Sequence, residues 1–505
     1  MKKIFILILL VFCYGKSFSQ NTEIEWQRLQ DSAGANSIIK SNFGGYMVLG
    51  SVNATDTPVT NNHGLSDLWI NKLDELGNLE WEKCFGGSNN EFASVIQQTR
   101  DSGYIIGGFT YSSNGDVTLN HGTCDYWILK IDSIGSIEWQ KSLGGIGGDI
   151  LRDIIQTNDG GYIAVGESKS NDGDVNGNYG EEDFWVVKLD SSGSVVWGKN
   201  FGGSSYDYAN SVLQNSDSGY IVVGRTYSTN GDVSINHGLG DVWIIRIDKN
   251  GNLQSEKTYG GSNDDQAAKI IRTTDNNYLI VGATKSSDGD VSCLPSLYFD
   301  TWVLKIDSAG SIIWQACLGR GGNFANAGNS VVENTNNEFY IAMNYQDYNW
   351  PNSGGPPVAE IYKIDSIGGV LWYNFFPNPE SFWSCFNSIL VANDGGCIAA
   401  GWKWIGAAYG SQWIVKLSSA TQVNEISVKN DFNISPNPTT SFITIESTSA
   451  ITEAEVSDIA GRVLLRQQEN NVSGFTLSLA PFQPGIYLLR LNTQDGFVVR
   501  KVVKE

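Results

Sequence analysis

A block of about 58 residues recurs from near the N-terminus to Leu417, and it restricts the architecture more than any single residue does. Its clearest copies are Asp67–Asp74, Asp125–Asp132, Asp183–Asp190, Asp241–Asp248 and Asp300–Asp307. Each begins Asp-x-Trp, runs through apolar residues to a Lys, or to Arg246 in one copy, and ends on Asp. Self-similarity at this period means a solenoid, a propeller or an array.

Within one copy, residues 93–99, 104–110, 126–131 and 137–141 are short apolar or alternating runs separated by Gly, Asp and Asn. Such runs predict four antiparallel strands. The third is apolar on both faces, as a sheet packed between two others requires. The Lys/Arg positions Lys72, Lys130, Lys188, Arg246, Lys305, Lys363 and Lys416 count seven copies. The first run, Glu23 to Arg28, matches a fourth strand such as Leu79 to Lys83, whereas the last copy, Ser388 to Leu417, has only three. The expected fold is therefore all-β: a seven-bladed β-propeller over residues 20–418, its ring closed by the N-terminal strand. The tryptophans of the third and fourth strands are expected to pack between blades. Strand alternation places the short turns at one end of the ring. The long second-to-third-strand loops and the blade-to-blade loops share the other end, the expected binding face.

Residues 1–19 read as a signal peptide: Met1-Lys2-Lys3, an apolar run from Ile4 to Phe12, then Ser17-Phe18-Ser19. The run is too short to cross a membrane, and no transmembrane segment is expected in the mature chain. The formal charge of −21 opposes binding to nucleic acid or anionic membranes and is compatible with divalent cations. Six cysteines outside the signal segment are scattered, with no zinc-type spacing.

A polar linker, 419–432, precedes a segment with a different vocabulary. Residues 433–505 alternate apolar and polar residues between turn signals, which predicts a small C-terminal β-sandwich. They carry Pro436-Asn437-Pro438, Asp458 followed by Gly461, Gly485 followed by Tyr487, and a basic last strand containing Lys501. In this the segment resembles the type A C-terminal sorting domain of the Bacteroidetes type IX secretion system. The resemblance implies the type IX machinery as a partner, and a protein secreted or attached to the outer cell surface.

The loop from Asp172 to Asp183 places Asp172, Asp174 and Asn176 at positions 1, 3 and 5, Gly177 at 6 and Asp183 at 12, the spacing of a calcium loop. The same residues suit Asx-turns, so calcium is the one cofactor left open. His63, His121 and His237 recur in equivalent loops, too far apart around a ring to share a metal, and are expected to pack there. Tyr206, Tyr208, Tyr348 and Trp350 are the aromatic candidates for ligand contact on the long-loop face. No catalytic residue is assigned. The chain reads as a binding or adhesion module for glycan or surface protein. The other reading is an extracellular propeller enzyme acting on polysaccharide or a quinoprotein-like dehydrogenase, because Lys130 to Trp139 resembles the tryptophan-docking motif of quinoprotein propellers.

Overall fold

The computed structural model describes residues 24–30, 33–53, 62–293, 298–319, 324–347, 357–376, 383–404, 410–419, 433–458, 463–493 and 496–505. The signal segment, Tyr348, Trp350, Gly461 and residues 420–432 of the linker lie outside them. Every element among the described residues is a β-strand. The chain divides into two compact units, 1–419 and 420–505.

The first unit is seven four-stranded antiparallel sheets. Blade two shows why the repeat folds this way, with strands Glu91–Gln98, Tyr104–Thr110, Asp125–Ile131 and Ile137–Leu143. Its first turn is tight because Asp101 Oδ1 accepts both Thr99 Oγ1–H and Gly103 N–H. The third strand is buried along its whole length, since Trp127 and Leu129 pack toward Leu49, Leu68 and Ile70 of the preceding blade. Tyr126 and Ile128 face the following blade. Trp69, Trp127, Trp185 and Trp243 are all fully buried between sheets, each worth roughly 4–6 kcal/mol of gross apolar burial before chain entropy is subtracted.

Fourth-strand tryptophans dock on the next blade. Trp81, Trp139, Trp197 and Trp314 lie against the Asp-x-x-Gly turns at Gly135, Gly193, Gly251 and Gly368, and Trp197 Nε1–H donates to Lys249 O at 3.2 Å. Trp26 does the same at blade one, where Gly77 has φ 82° and a Cβ would meet the indole at 2.8 Å. Trp26 belongs to Ile24–Gln30, which pairs antiparallel with Ser411–Leu417 as the outer strand of the last blade. Trp413 Nε1–H donates to Gln27 Oε1 at 3.1 Å, and Lys416 Nζ lies 2.8 Å from Glu25. The ring is thus closed by strands from both ends of the repeat region.

At the long-loop end the junctions carry buried acid pairs: Asp67 with Glu91, Asp125 with Asp149, Asp183 with Asp207, and Asp241 with Asp265, all fully buried. A Cβ on Gly86 would lie 2.5 Å from Asp67 Oδ1 and 2.6 Å from Glu91 Oε2, so the pair closes around a residue that must be glycine, and Gly144, Gly202 and Gly260 repeat this. The second acid is well supplied with donors; Asp265 Oδ2, for example, accepts Gly261 N–H at 2.8 Å and Ser286 Oγ–H at 2.7 Å. The first acid accepts on Oδ2 the N–H of His63, His121, Tyr179 or His237. The three imidazoles therefore do more than pack: each Nδ1 lies 2.6–2.9 Å from the same carboxylate. Oδ1 of Asp67, Asp125, Asp183 and Asp241 has no partner among the described residues. The fifth junction shows what completes the contact, because Asn326 replaces the second acid and its Nδ2–H donates to Asp300 Oδ1 at 3.0 Å. An amide is the isostere of a protonated carboxyl, so one proton per pair would supply at the other four junctions the donor that Asn326 supplies at the fifth. Burial raises the carboxyl pKa of Asp67, Glu91, Asp149, Asp207, Asp241 and Asp265. Asp183, which has Tyr179 in place of histidine, is pushed up to about 7, by burial first and by Asp207 and Asp232 as well.

Cys293 and Cys317 form a disulfide within blade five, while Cys84, Cys124, Cys385 and Cys397 are buried thiols. The second unit is a single antiparallel sheet of five strands, not two packed sheets. Its long strand Phe442–Asp458 pairs along its length with Val463–Ser478, and its second half also pairs with Gly485–Thr493. The sheet curls around Ile443, Ile445, Val456, Leu477, Leu489 and Val502, so curvature encloses the core that a sandwich would have enclosed by stacking.

Two outcomes follow. Deleting residues 20–30 should lower the propeller's melting temperature by roughly 5 °C or more in calorimetry; an unchanged melt would contradict ring closure by this strand. The Asp183 carboxyl is favoured in its neutral form by folding, so its contribution is whole below about pH 4 and lost as pH rises through about 7. Melting should therefore fall by roughly 5 °C between pH 5 and pH 8, and Asp183→Asn, copying the amide of the fifth junction, should flatten that slope.

Candidate functional site

The innermost strand of every blade contains a one-residue β-bulge: the register shifts between Ala35 and Ser37, Ala93 and Val95, Leu151 and Asp153, Ala209 and Ser211, Ala267 and Lys269, Gly328 and Ser330, and Phe386 and Ser388. A bulge re-aims the extra side chain. The seven bulge residues, Asn36, Ser94, Arg152, Asn210, Ala268, Asn329 and Asn387, line the central channel, a cavity of about 570 Å³. They also sew neighbouring blades together. Ser94 Oγ–H donates to Leu151 O at 2.6 Å, Asn210 Nδ2–H to Ala267 O at 2.8 Å, Asn329 Nδ2–H to Phe386 O at 2.8 Å and Asn387 Nδ2–H to Ala35 O at 2.9 Å. Arg152 is the one cation of the ring, and its guanidinium is clamped on Glu167 at 2.5–3.1 Å. Burial raises the Glu167 pKa and the Arg152 charge opposes it. The channel is therefore polar but carries no net charge.

Aromatic side chains gather where this channel opens on the long-loop face. Phe92 and Phe109, facing each other across the first two strands of blade two, line the channel and stack at 5.1 Å, with Tyr111 6.2 Å from each. A second cavity of about 260 Å³ shares Gly34 and Ser51 with the channel and is walled by Trp402 and Trp404. Trp404 lies 5.8 Å from Trp383, and both indoles are more than two-fifths exposed. Tyr206 and Tyr208 stack at 6.1 Å and 13° in blade four. Burial and nearby Glu182 raise the Tyr208 phenol pKa. Arg225 beside them covers Tyr227 at 4.1 Å and is paired with Asp264 at 2.6 Å.

Of the sequence candidates, Tyr206 and Tyr208 come together on this face, and Tyr348 and Trp350 lie outside the described residues. Phe92, Phe109, Tyr111, Trp383, Trp402 and Trp404 were not foreseen. Their signal is positional, since most sit at or just beyond the long-loop ends of the first and second strands.

In the blade-three loop, Asp172 Oδ1 accepts Ile146 N–H at 2.8 Å and Asp174 Oδ2 accepts Gly144 N–H at 3.3 Å. Both act as clips across the junction, as Asn114 and Asp116 do for blade two and Asn230 and Asp232 for blade four. Asp183 is buried in its acid pair and Asn176 is exposed. Among the described residues no group of three His, Cys, Asp or Glu side chains is arranged to hold a metal ion.

In the second unit, the Pro436-Asn437-Pro438 turn is clasped to the last strand through Asn437 Oδ1, which accepts Val503 N–H at 2.8 Å. Tyr487 stands opposite both Asp458 and Val502 in the ladder, its hydroxyl donates to Gln483 O at 2.7 Å, and Gly485 and Lys501 pair with Lys504 and Leu488. The motif residues thus define the first, central and last strands of one sheet.

Residues 433–505 match the family model for the secretion system C-terminal sorting domain. No curated protein matches the chain. Among solved structures, a protein of unknown function from Dyadobacter fermentans is 9% identical at TM-score 0.40, covering 78% of this chain and 99% of its own. Puromycin hydrolase is 11% identical at TM-score 0.42, over 94% and 58% of the two chains. An exo-beta-1,3-galactanase described as putative, from Bifidobacterium bifidum, is 13% identical at TM-score 0.29, over 53% and 88%. Likenesses this distant carry no argument about what the propeller does. The segment 433–505 is a C-terminal sorting domain of the type IX secretion system, and the chain is a seven-bladed propeller that this system handles, secreted or attached at the cell surface.

Proposed function

We propose that the propeller is a binding module that takes an uncharged glycan at the channel mouth on its long-loop face. The observation that carries this is the placement of stacked, solvent-facing aromatics beside a channel lined by amides whose single guanidinium is already neutralised. Flat rings receive the apolar faces of pyranose rings, and side-chain amides exchange hydrogen bonds with hydroxyls without demanding a charge. The acidic surface also disfavours polyanionic polymers. A surface protein presenting polar and aromatic groups is the remaining partner class. The calcium assignment to Asp172, Asp174, Asn176 and Asp183 is part of the same proposal: carboxylate and amide oxygens are calcium ligands, and the three aspartates can bind a cation while accepting backbone N–H groups.

The purified secreted chain should bind neutral polysaccharides saturably and leave them intact. Trp404→Ala and Phe92→Ala should each weaken binding about tenfold, or 1.4 kcal/mol, without moving the melting temperature. Cleavage of the ligand would favour an enzyme, and binding confined to protein partners would overturn the glycan reading. Repeating the titration and the melt in calcium and in EDTA tests the cation. A calcium-dependent rise in either that Asp174→Asn abolishes supports it, and superimposable curves reject it.

A further inference from the structure

On the short-turn face, six blades share one ion pair. The lysine at the end of the third strand reaches an acid of a short turn or the fourth strand: Lys72 to Glu80, Lys130 to Asp101, Lys188 to Asp159, Lys305 to Asp275, Lys363 to Glu338, and Lys416 to Asp394. Blade four alone has arginine at this place, and Arg246 makes no ion pair or hydrogen bond among the described residues. Its guanidinium turns instead toward the next blade and lies 5.5 Å from the centre of the Tyr278 ring. Asp217, which stands where Asp101 and Asp159 bind their lysines, accepts only the Gly219 N–H of its own turn among the described residues.

A second guanidinium converges on the same ring. Arg272 lies 5.2 Å from the Tyr278 centroid, and its Nη2–H groups donate to Asn215 Oδ1 at 2.9 Å and Tyr278 Oη at 3.3 Å. The Tyr278 hydroxyl in turn donates to Asn215 Oδ1 at 3.0 Å, which fixes the ring that both guanidinium groups approach. Arg246, Arg272 and Tyr278 line a cavity of about 580 Å³ together with Asn215, Asn277 and Ser308. Asp275 in its wall is already held by Lys305 at 2.7 Å. Two guanidinium charges therefore face one carboxylate, Asp217, that no cation among the described residues engages.

We infer that this cavity, at the junction of blades four and five, is a binding site for a single oxyanion: the carboxylate, sulfate or phosphate group of a small ligand. Planar guanidinium groups are the usual partners of such groups because their paired N–H donors match two oxygens at once. The asparagine and serine side chains of the wall supply neutral donors around them. A polyanion is excluded as the ligand, since the net charge of −21 repels it while a lone oxyanion is small enough to be served by the local excess of two arginines. The site lies at the opposite end of the ring from the aromatic mouth, so neither proposal depends on the other.

Isothermal titration of the purified secreted chain with sodium sulfate, phosphate and acetate, at ionic strength fixed with chloride, tests this. Saturable binding with a dissociation constant of about 1 mM or below is expected for at least one of them. Acetate alone would mark the ligand as a carboxylate, and sulfate or phosphate as a tetrahedral oxyanion. Arg246→Lys should weaken it about tenfold or more, because lysine at this place pairs with the turn acid in the other blades. Arg272→Gln should do the same. Both variants should melt within about 2 °C of the parent. Flat titrations with all three anions, or an Arg246→Lys chain that binds as tightly as the parent, would overturn the assignment.

Discussion

A sheet that is apolar on both faces cannot stand at a surface, and the third strands of this protein make every blade such a sheet. Asp125–Ile131, with no exposed residue, needs a neighbour before it and a neighbour after it. Seven sheets arranged in a ring satisfy that demand for all of them only if the first and last also meet, which makes the strand containing Trp26 as necessary as any in the interior. The tryptophan-on-glycine contact, the acid pairs and the amide-to-carbonyl bonds of the channel are three ways of fastening the same junction at its outer rim, its long-loop end and its axis.

The two ends of the ring are built to different standards. At one, short turns hold lysine–acid pairs that repeat with little variation, and the single departure, Arg246, stands out because the other six blades agree. At the other, the backbone is held by buried acids and loop clips, while the partly exposed aromatics differ from blade to blade: Phe92 and Phe109 in blade two, Tyr208 in blade four, Trp402 in blade seven. Repetition below and variety above is what a scaffold that carries a unique surface requires.

The ring, its count and its closure were legible because they rest on local signals: alternation, turn residues and a recurring Asp-x-Trp. The channel was not, because Asn36, Arg152 and Asn210 sit on bulges, where the two-residue period that sorts faces breaks down. Acid pairing was equally hidden. Asp183 and Asp207 are far apart in the chain, and only the ladder geometry reveals that Gly202 lets them meet. The loop from Asp172 to Asp183 reads as a cation loop in one dimension, and in three its first two acids fasten the preceding blade's exit loop. In the second unit, alternation indicated strands but could not tell one curled sheet from two stacked ones, because both bury every other residue.

The clasp between Gln27 and Trp413 joins residues 386 positions apart. During synthesis the first strand emerges long before its partner, so until residue 417 is available both the first and the last blade present open edges and uncovered apolar faces. Ring closure therefore waits for the last strand of the propeller, and that strand is followed closely by the sorting domain at 433–505. The order of the chain makes possession of a sorting domain and completion of the propeller nearly simultaneous: a product truncated before residue 417 can neither close its ring nor carry that domain.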